Sequence, residues 1–343
     1  MFNIFKNYFT RKIGIDLGTA NTLIYLDNKG IVLREPSVVA IDVQTDMVLA
    51  CGEEARAMIG RTSSSIKAIR PLRDGVIADF KYAEIMLKRF VETVCTPQFG
   101  KPEIAIGIPS GVTGVERQAV HNAALKAGAS VAYLPEEPLA AAIGANLPVI
   151  EPTGSMIIDI GGGTTEIAVL SLSGIVVNES IRTAGDEFNE NIISYLKKVH
   201  SLAVGERTSE EIKFTLGSAY DNGDNDKYDV RGLSLINGLP RTVTISRGEI
   251  REALSKPLQD IIEAIRKTFE RTPPELAADI YARGIMLTGG GALLQGIDEL
   301  IANETEVPVF IADDPLSCVA LGTGKMLMDP GYHRVLQHAF SHV

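Results

Sequence analysis

No run of about 18 or more apolar residues occurs anywhere in the 343-residue chain, so no segment is expected to cross a membrane as a helix. Cysteine is scarce: Cys51, Cys95 and Cys318 are odd in number, widely spaced and free of any C-x-x-C pair. That excludes a disulfide framework and reads as core thiols in a reducing cytoplasm. The five histidines show no metal-binding spacing. Basic clusters are missing too, and a formal charge of −10 makes a nucleic-acid partner unexpected, because binding phosphate on that scale needs a basic face. The first twelve residues are too polar and interrupted for a signal peptide, and no small-residue cleavage site follows them. What is present is a chain with 45% hydrophobic residues and no long polar tract, long enough for two domains with separate cores.

One stretch stands out. Asp159-Ile-Gly-Gly-Gly-Thr-Thr-Glu166 follows the apolar run Ser155-Met-Ile-Ile and leaves as Ile167-Ala-Val-Leu170, which reads as strand, glycine turn, strand. Three consecutive glycines let backbone N–H groups approach an anion, and an aspartate at the strand end can hold Mg²⁺ through water. A hairpin turn needs no ligand, but the chain carries a second copy. Ile15-Asp-Leu-Gly-Thr-Ala-Asn-Thr22 superposes on Ile158 to Thr165, with Asp16 on Asp159 and Gly18 on Gly161. Two such loops facing each other would clamp a phosphate chain from both sides. A third glycine loop, Thr288-Gly-Gly-Gly-Ala292, follows the strand Gly284-Ile-Met-Leu287. Two helical segments also match: Glu137-Pro-Leu-Ala-Ala-Ala-Ile-Gly144 and Asp314-Pro-Leu-Ser-Cys-Val-Ala-Leu-Gly322, whose small residues allow a close crossing.

In order, Asp16 to Thr22, Glu136 to Gly144, Asp159 to Glu166, Gly284 to Ala292 and Asp314 to Gly322 resemble the phosphate, connecting, phosphate, adenosine and connecting motifs of the actin-like ATPases. Within that superfamily, Arg70-Pro-Leu-Arg-Asp-Gly-Val-Ile-Ala-Asp79 and Pro273-Pro-Glu-Leu276 resemble the MreB family of bacterial rod-shape actins, and the likeness covers essentially the whole chain. It implies an α/β fold of the actin-like ATPase type, with two related, duplicated ribonuclease-H-like cores around a nucleotide cleft. Domain I would comprise residues 13–145 plus 315–343, with a small subdomain inserted at about 32–75. Domain II would comprise 146–314, with an insertion at about 184–250.

The chemistry implied is ATP hydrolysis with Mg²⁺. Asp16 and Asp159 would hold the metal, largely through water, and Gly18, Thr19, Ala20, Asn21, Gly161, Gly162, Gly163 and Thr164 would cradle the phosphates. Neither loop carries a lysine, so the metal would do much of the electrostatic work. The resemblance puts Glu137, immediately before Pro138, at the catalytic water; Glu136 beside it stays open to the same role. Thr164 is the second water contact. Base and ribose would lie among Gly185, Glu210, Glu211, Ile212 and Lys213 on one side and Gly289, Gly290, Gly291 and Ala292 on the other. Thr215 stands where several relatives have an acid, so a role for that acid is not carried over.

Outside the cleft, Phe2, Ile4, Phe5, Tyr8 and Phe9 fall on one side of a helical projection of residues 1–12, the pattern of an amphipathic membrane-binding segment. Phe99, in the loop after the helix Phe80 to Cys95, reads as an exposed aromatic that the resemblance offers as a membrane-insertion tip. Val115, Ala119 and Ala123 form a stripe at four-residue spacing; core and the contact between two filament strands both stay open for Val115. Thr208 and Glu211 have capping-box spacing. Asp221-Asn-Gly-Asp-Asn-Asp226 is expected to be a solvated turn, because it lacks the acidic spacing of a calcium loop. The expected protein is a cytoplasmic filament-forming ATPase, peripheral on the inner face of the cytoplasmic membrane. Its partners would be itself in paired filaments, membrane lipids and membrane proteins of the cell elongation machinery, and it would direct cell shape and lateral wall synthesis. A small-molecule kinase of the same superfamily is the alternative; it would need a phosphoacceptor pocket with a base. A heat-shock-type chaperone would need a substrate domain beyond the last motif.

Overall fold

The computed structural model describes residues 11–95, 100–332 and 335–336. The anchor candidates Phe2, Ile4, Phe5, Tyr8, Phe9 and Phe99 lie outside them. Lys12–Leu17 (β1), Asn21–Leu26 (β2) and Gly30–Pro36 (β3) form an antiparallel meander; the apolar residues of β1 are buried and those of β2 mostly so, while Val32 on β3 is exposed. Val39–Asp42 (β4), Val48–Cys51 (β5) and Ile66–Ile69 (β6) make a small sheet in the order β5-β4-β6, carrying the one-turn helix Glu53–Arg56 (α1). After the short ribbon Leu72–Arg73 (β7) and Val76–Ile77 (β8) come Phe80–Val94 (α2), Glu103–Gly107 (β9), Gly114–Lys126 (α3), Val131–Tyr133 (β10) and Glu137–Gly144 (α4). Helix α2 starts where the Asp79 carboxylate accepts from the Tyr82 N–H, and α3 where Thr113 and Glu116 form a capping box. Strands β9 and β10 run parallel beside β1, giving the sheet order β10-β9-β1-β2-β3.

The plan then repeats. Ser155–Ile160 (β11), Thr165–Ser171 (β12) and Gly174–Ile181 (β13) form a second meander. Gly185–His200 (α5), Leu202–Ala203 (β14), Glu206–Leu216 (α6), Lys227–Ser234 (β15), Pro240–Ser246 (β16) and Arg247–Glu270 (α7) follow. Pro274–Arg283 (α8), Ile285–Thr288 (β17), Ile297–Thr305 (α9), Val309–Ile311 (β18) and Cys318–Met328 (α10) complete the set. The second large sheet is β18-β17-β11-β12-β13, the same order as the first. Register repeats as well: Asp16 lies between Leu23 and Gly107, and Asp159 between Glu166 and Thr288, each with an antiparallel and a parallel neighbour. Every residue of β11 is buried, as a strand covered on both faces requires.

Between the sheets, α4 and α10 cross almost backbone to backbone. A Cβ on Gly144 would sit 1.9 Å from the Cys318 carbonyl oxygen, and one on Gly322 would sit 1.8 Å from that of Ala140, so only glycine fits at either place. The two helices share one core cluster with Ala105 of the first sheet and with Ile157, Ala168 and Leu170 of the second.

Two local expectations are corrected. Helix α6 starts earlier than the Thr208–Glu211 spacing implied, with Gly205 as its N-cap, so Thr208 lies inside the first turn and Glu211 instead accepts from the Tyr228 hydroxyl at 2.8 Å. Residues Asp221 to Asp226 are not merely solvated. Asp224 and Asp226 pair with the buried Arg247 at 3.2 and 2.8 Å, and Asp221 pairs with Arg251 at 2.8 Å, tying the loop to the start of α7. Val115 is 77% exposed, which removes the core reading for it; Ala123 is buried. Among the described residues no helix is long and apolar enough to cross a membrane.

Candidate functional site

The two Asp-Gly hairpins end up facing each other because each closes the central antiparallel pair of its own sheet. The loops touch: a Cβ on Gly162 would lie 2.7 Å from Ala20 Cβ and 3.2 Å from the Ala20 amide nitrogen, and one on Gly163 would lie 2.6 Å from Thr19 Oγ1. Each loop is pinned from behind. The Ser37 hydroxyl donates to the Gly18 carbonyl at 2.6 Å and the Ser37 N–H to that of Ala20 at 2.9 Å, while the first amides of α5, Gly185 and Asp186, donate to Gly161 and Gly162 at 3.1 and 2.8 Å. Most of the backbone freedom that glycine costs is thereby removed before any ligand arrives.

Between the loops lies a cavity of about 520 Å³. Its wall contains Asp16, Gly18, Thr19, Ala20, Asn21, Glu137, Asp159, Gly161, Gly162, Gly163, Thr164, Gly185, Glu210, Lys213, Gly289, Gly290 and Gly291. Gly289 adopts a φ of +79° and has no room for a side chain, since a Cβ there would meet Asp159 Oδ1 at 2.4 Å. Three candidates are off the wall. On α6 the cavity is lined by Glu210, Lys213, Phe214 and Thr215, whereas the Glu211 carboxylate is turned to the Tyr228 hydroxyl and Ile212 is buried in the core of the second sheet. Ala292 is likewise buried in that core. Of the Glu136/Glu137 pair, Glu137, at the first turn of α4, lines the cavity, whereas the Glu136 carboxylate accepts from Ser110 Oγ at 2.7 Å.

Sequence reasoning missed the far end of the cavity. Phe214, 73% exposed, and Leu293 add an apolar lip, and Arg247 with Gln295 a polar end, the guanidinium donating to Gln295 Oε1 at 2.6 Å. Only the helical spacing of Phe214 from Glu210 could have revealed any of these. It also missed the ion pairs bridging the mouth. Arg56 of α1 reaches Glu210 at 2.8 Å, and Arg70 reaches Asp186 at 3.2 Å and also pairs with Glu206.

The floor is a group of carboxylates without enough positive charge. Burial, then the neighbouring Asp159, pushes Asp16 up to about 8, and burial pushes Asp159 up to about 6. Glu137 is held well above the carboxylate range by burial, then by Asp16, Glu166 and Asp159; all the charged neighbours acting on it are other carboxylates. Behind the cavity wall, Glu166, 1% exposed, is raised to about 7, chiefly by burial. Such a floor fits a divalent cation, whose charge would reverse these shifts. Among the described residues no three His, Cys, Asp or Glu side chains converge to enclose a metal directly.

Comparison with known proteins agrees with this architecture. The family model "MreB/Mbl protein" matches residues 10–334. The cell shape-determining protein Mbl of Bacillus cereus is 53% identical over 93% of this chain and 96% of its own. The cell shape-determining protein MreB of Escherichia coli is 50% identical over 95% and 96%. Among solved structures, MreB 5 of Spiroplasma citri bound to AMPPNP is 36% identical and superposes with a TM-score of 0.90, over 96% of this chain and 98% of that one. The fold is that of the actin-like ATPases. With matches that run through both copies of the sheet, the chain belongs to the MreB/Mbl family.

Proposed function

We propose that this chain binds and hydrolyses ATP in the cavity between its two sheets and polymerises into paired filaments. The filaments lie on the inner face of the cytoplasmic membrane and direct cell shape and lateral wall synthesis. The observation that carries the reading is the cavity itself: two glycine loops in contact, with Asp16, Asp159 and Glu137 on its floor. The AMPPNP bound by the Spiroplasma citri relative supports a nucleotide here. The two domains are taken as 13–145 with 315–343, and 146–314.

In this reading the backbone amides of residues 18–21 and 161–164 hold the phosphates, and Lys213 and the 289–291 loop flank the nucleoside. Mg²⁺ held through water by Asp16 and Asp159 would neutralise charge on the triphosphate. Glu137 and Thr164 orient the attacking water, Glu137 from the first sheet's side and Thr164 from the second's. Self-association is supported by the exposed Val115 beside Phe80 and Ala119 along an open groove between α2 and α3. Membrane binding rests on Phe2, Ile4, Phe5, Tyr8 and Phe9, with Phe99 as a second tip. Five large apolar side chains give at most about 7 to 15 kcal/mol before ordering costs, so one copy binds reversibly and a filament binds firmly by multivalency. Membrane proteins of the elongation machinery complete the partners.

Glu137→Ala tests the chemistry. It removes a water-orienting group without touching a phosphate contact, so hydrolysis in a single turnover should fall by about 10²- to 10⁴-fold with ATP affinity nearly unchanged. An unchanged rate would falsify the assignment. Deleting residues 2–10 should abolish co-sedimentation with anionic liposomes; if the folded deletion still pellets, Phe99 becomes the membrane contact.

A further inference from the structure

The two groups that orient the water come from opposite sheets, so their separation is only as well defined as the joint between those sheets. Beside the cavity the joint includes a hydrogen-bonded bridge centred on Glu166, a residue the chemistry above leaves without a role. Glu166 lies on β12, two residues after Thr164, with Asp159 opposite it on β11 and Ser180 on β13. Its Oε1 accepts from the Ser180 hydroxyl at 2.6 Å, within its own sheet. Its Oε2 accepts from the backbone N–H of Ser110 at 3.3 Å, on the segment that follows β9 of the other sheet. Ser110 passes the link on: its hydroxyl donates to Glu136 Oε2 at 2.7 Å. Glu136 is the N-cap of α4, immediately before Glu137, and the Glu137 N–H donates to the Ile108 carbonyl at 2.8 Å. Glu166 and Ser110 are both buried, so water does not compete for these bonds.

We propose that Glu166 is a positioning residue for hydrolysis. Through Ser110 and Glu136 it sets the distance between Thr164 and Glu137, and hence where the attacking water is held. This rests on the functional reading above. None of the bridge's hydrogen bonds is made to residues 18–21 or 161–164, so losing it should slow the chemical step far more than it weakens binding.

The test compares Glu166→Ala, Glu166→Gln, Ser110→Ala and Glu137→Ala in the full chain by single-turnover hydrolysis, ATP affinity, and hydrogen exchange of the peptide containing Ser110. Glutamine can keep the bridge, with its carbonyl oxygen accepting from Ser110 N–H and its amide donating to Ser180 Oγ, since a hydroxyl both donates and accepts. The expected result is a loss of about 10²-fold in rate for Glu166→Ala, the scale of an ångström-sized misplacement. ATP affinity stays near wild type, Ser110 exchanges faster, and Glu166→Gln restores both rate and protection. A Glu166→Gln protein as slow as Glu166→Ala overturns the proposal, because the charge rather than the bridge would then matter. So does a Glu166→Ala protein that hydrolyses normally while Glu137→Ala is slow. A normal rate for Glu137→Ala overturns the functional reading itself and the bridge's role with it. Should Glu166→Ala fail to fold, Ser110→Ala carries the test: it removes only the hydroxyl link to Glu136, so a wild-type rate there overturns the proposal and a slowed one with normal ATP affinity supports it.

Discussion

Placing one methyl group at the crossing of α4 and α10 should damage stability and catalysis together. In Gly322→Ala the new Cβ would start 1.8 Å from the Ala140 carbonyl oxygen, where ordinary contact begins at 3.4 Å, so the helices must part by about 1.6 Å. Neither side yields easily: the obstacle is backbone, and Pro138 to Gly144 are all buried. Overpacking typically costs about 1 to 3 kcal/mol, and a backbone-to-backbone clash belongs at the upper end. It also overrides the roughly 1 kcal/mol that alanine normally gains over glycine inside a helix. At about 2.1 cal/mol/K per residue the 343-residue chain unfolds with an entropy of roughly 0.7 kcal/mol/K, so each kcal/mol is worth about 1.4 °C and melting should fall by roughly 4 °C. Because Glu137 is on the first turn of α4, the same displacement should, under the water-orienting role proposed for it, cost about 10²-fold in rate. The control is Gly114→Ala, where a Cβ meets nothing within 4 Å; it should melt at or slightly above wild type. Calorimetry and single-turnover hydrolysis read both effects, and a Gly322→Ala protein indistinguishable from wild type in both would refute the reasoning.

Three further outcomes follow from the site and its surroundings. Without nucleotide or metal, the protein should melt higher at pH 6 than at pH 8.5. Asp16 and Asp159 have folded-state pKa values raised to about 8 and about 6, so the folded form binds more protons than the unfolded one between 3.8 and those values, and stability falls as pH rises through that window. Magnesium with a nucleotide should flatten that slope, and a slope of opposite sign in EDTA would contradict the buried carboxylate floor. Val115→Glu should melt like wild type, because the side chain is 77% exposed, yet abolish paired filaments in electron micrographs; a lost transition or intact pairs would each count against the interface. Replacing Arg56 and Arg70 by alanine removes the pairs across the cavity mouth, each partly exposed and worth about 0.2 to 1 kcal/mol, so stopped-flow release of a fluorescent nucleotide should quicken by roughly 3- to 100-fold. Release unchanged at low salt would show that these pairs do not gate the cleft.

Legibility tracked the range of the determining interaction. The aspartate-glycine turns could be read directly because the backbone demands glycine where two loops touch, and the repeat from Asp16 to Asp159 announced that the touching would happen. Glu211, Ile212 and Ala292 were drawn in by adjacency to Glu210, Lys213 and Gly291 in the chain, whereas a helix turns neighbours about 100° apart and sends them to different surroundings. Arg247 was illegible for another reason: it is buried only because Asp224 and Asp226, more than twenty positions away, come to meet it. The same holds for Arg56 with Glu210 and Arg70 with Asp186, pairs that exist only once the two sheets are in place. Glu136 and Glu137 are equivalent on paper; the cavity, which Glu137 lines, and the Ser110 hydroxyl, from which Glu136 accepts, separate them.

The packing of α10 also sets an order of events during synthesis. This helix lies against β1, where a Cβ on Gly14 would meet the Gly324 amide at 2.4 Å and Thr323 Oγ1 at 2.6 Å, and it crosses α4 at Gly322. The first sheet therefore lacks part of its cover until about residue 328 has left the ribosome. At about 5 to 20 residues per second, that leaves roughly 9 to 37 s after α4 emerges in which the face of β1 that α10 covers and one face of α4 stay open. The strands and helices of the second sheet appear within that interval and can close their own core first. A nascent chain held before residue 318 should accordingly recruit chaperones through the first sheet and fail to retain nucleotide, whereas one released beyond residue 328 should do neither.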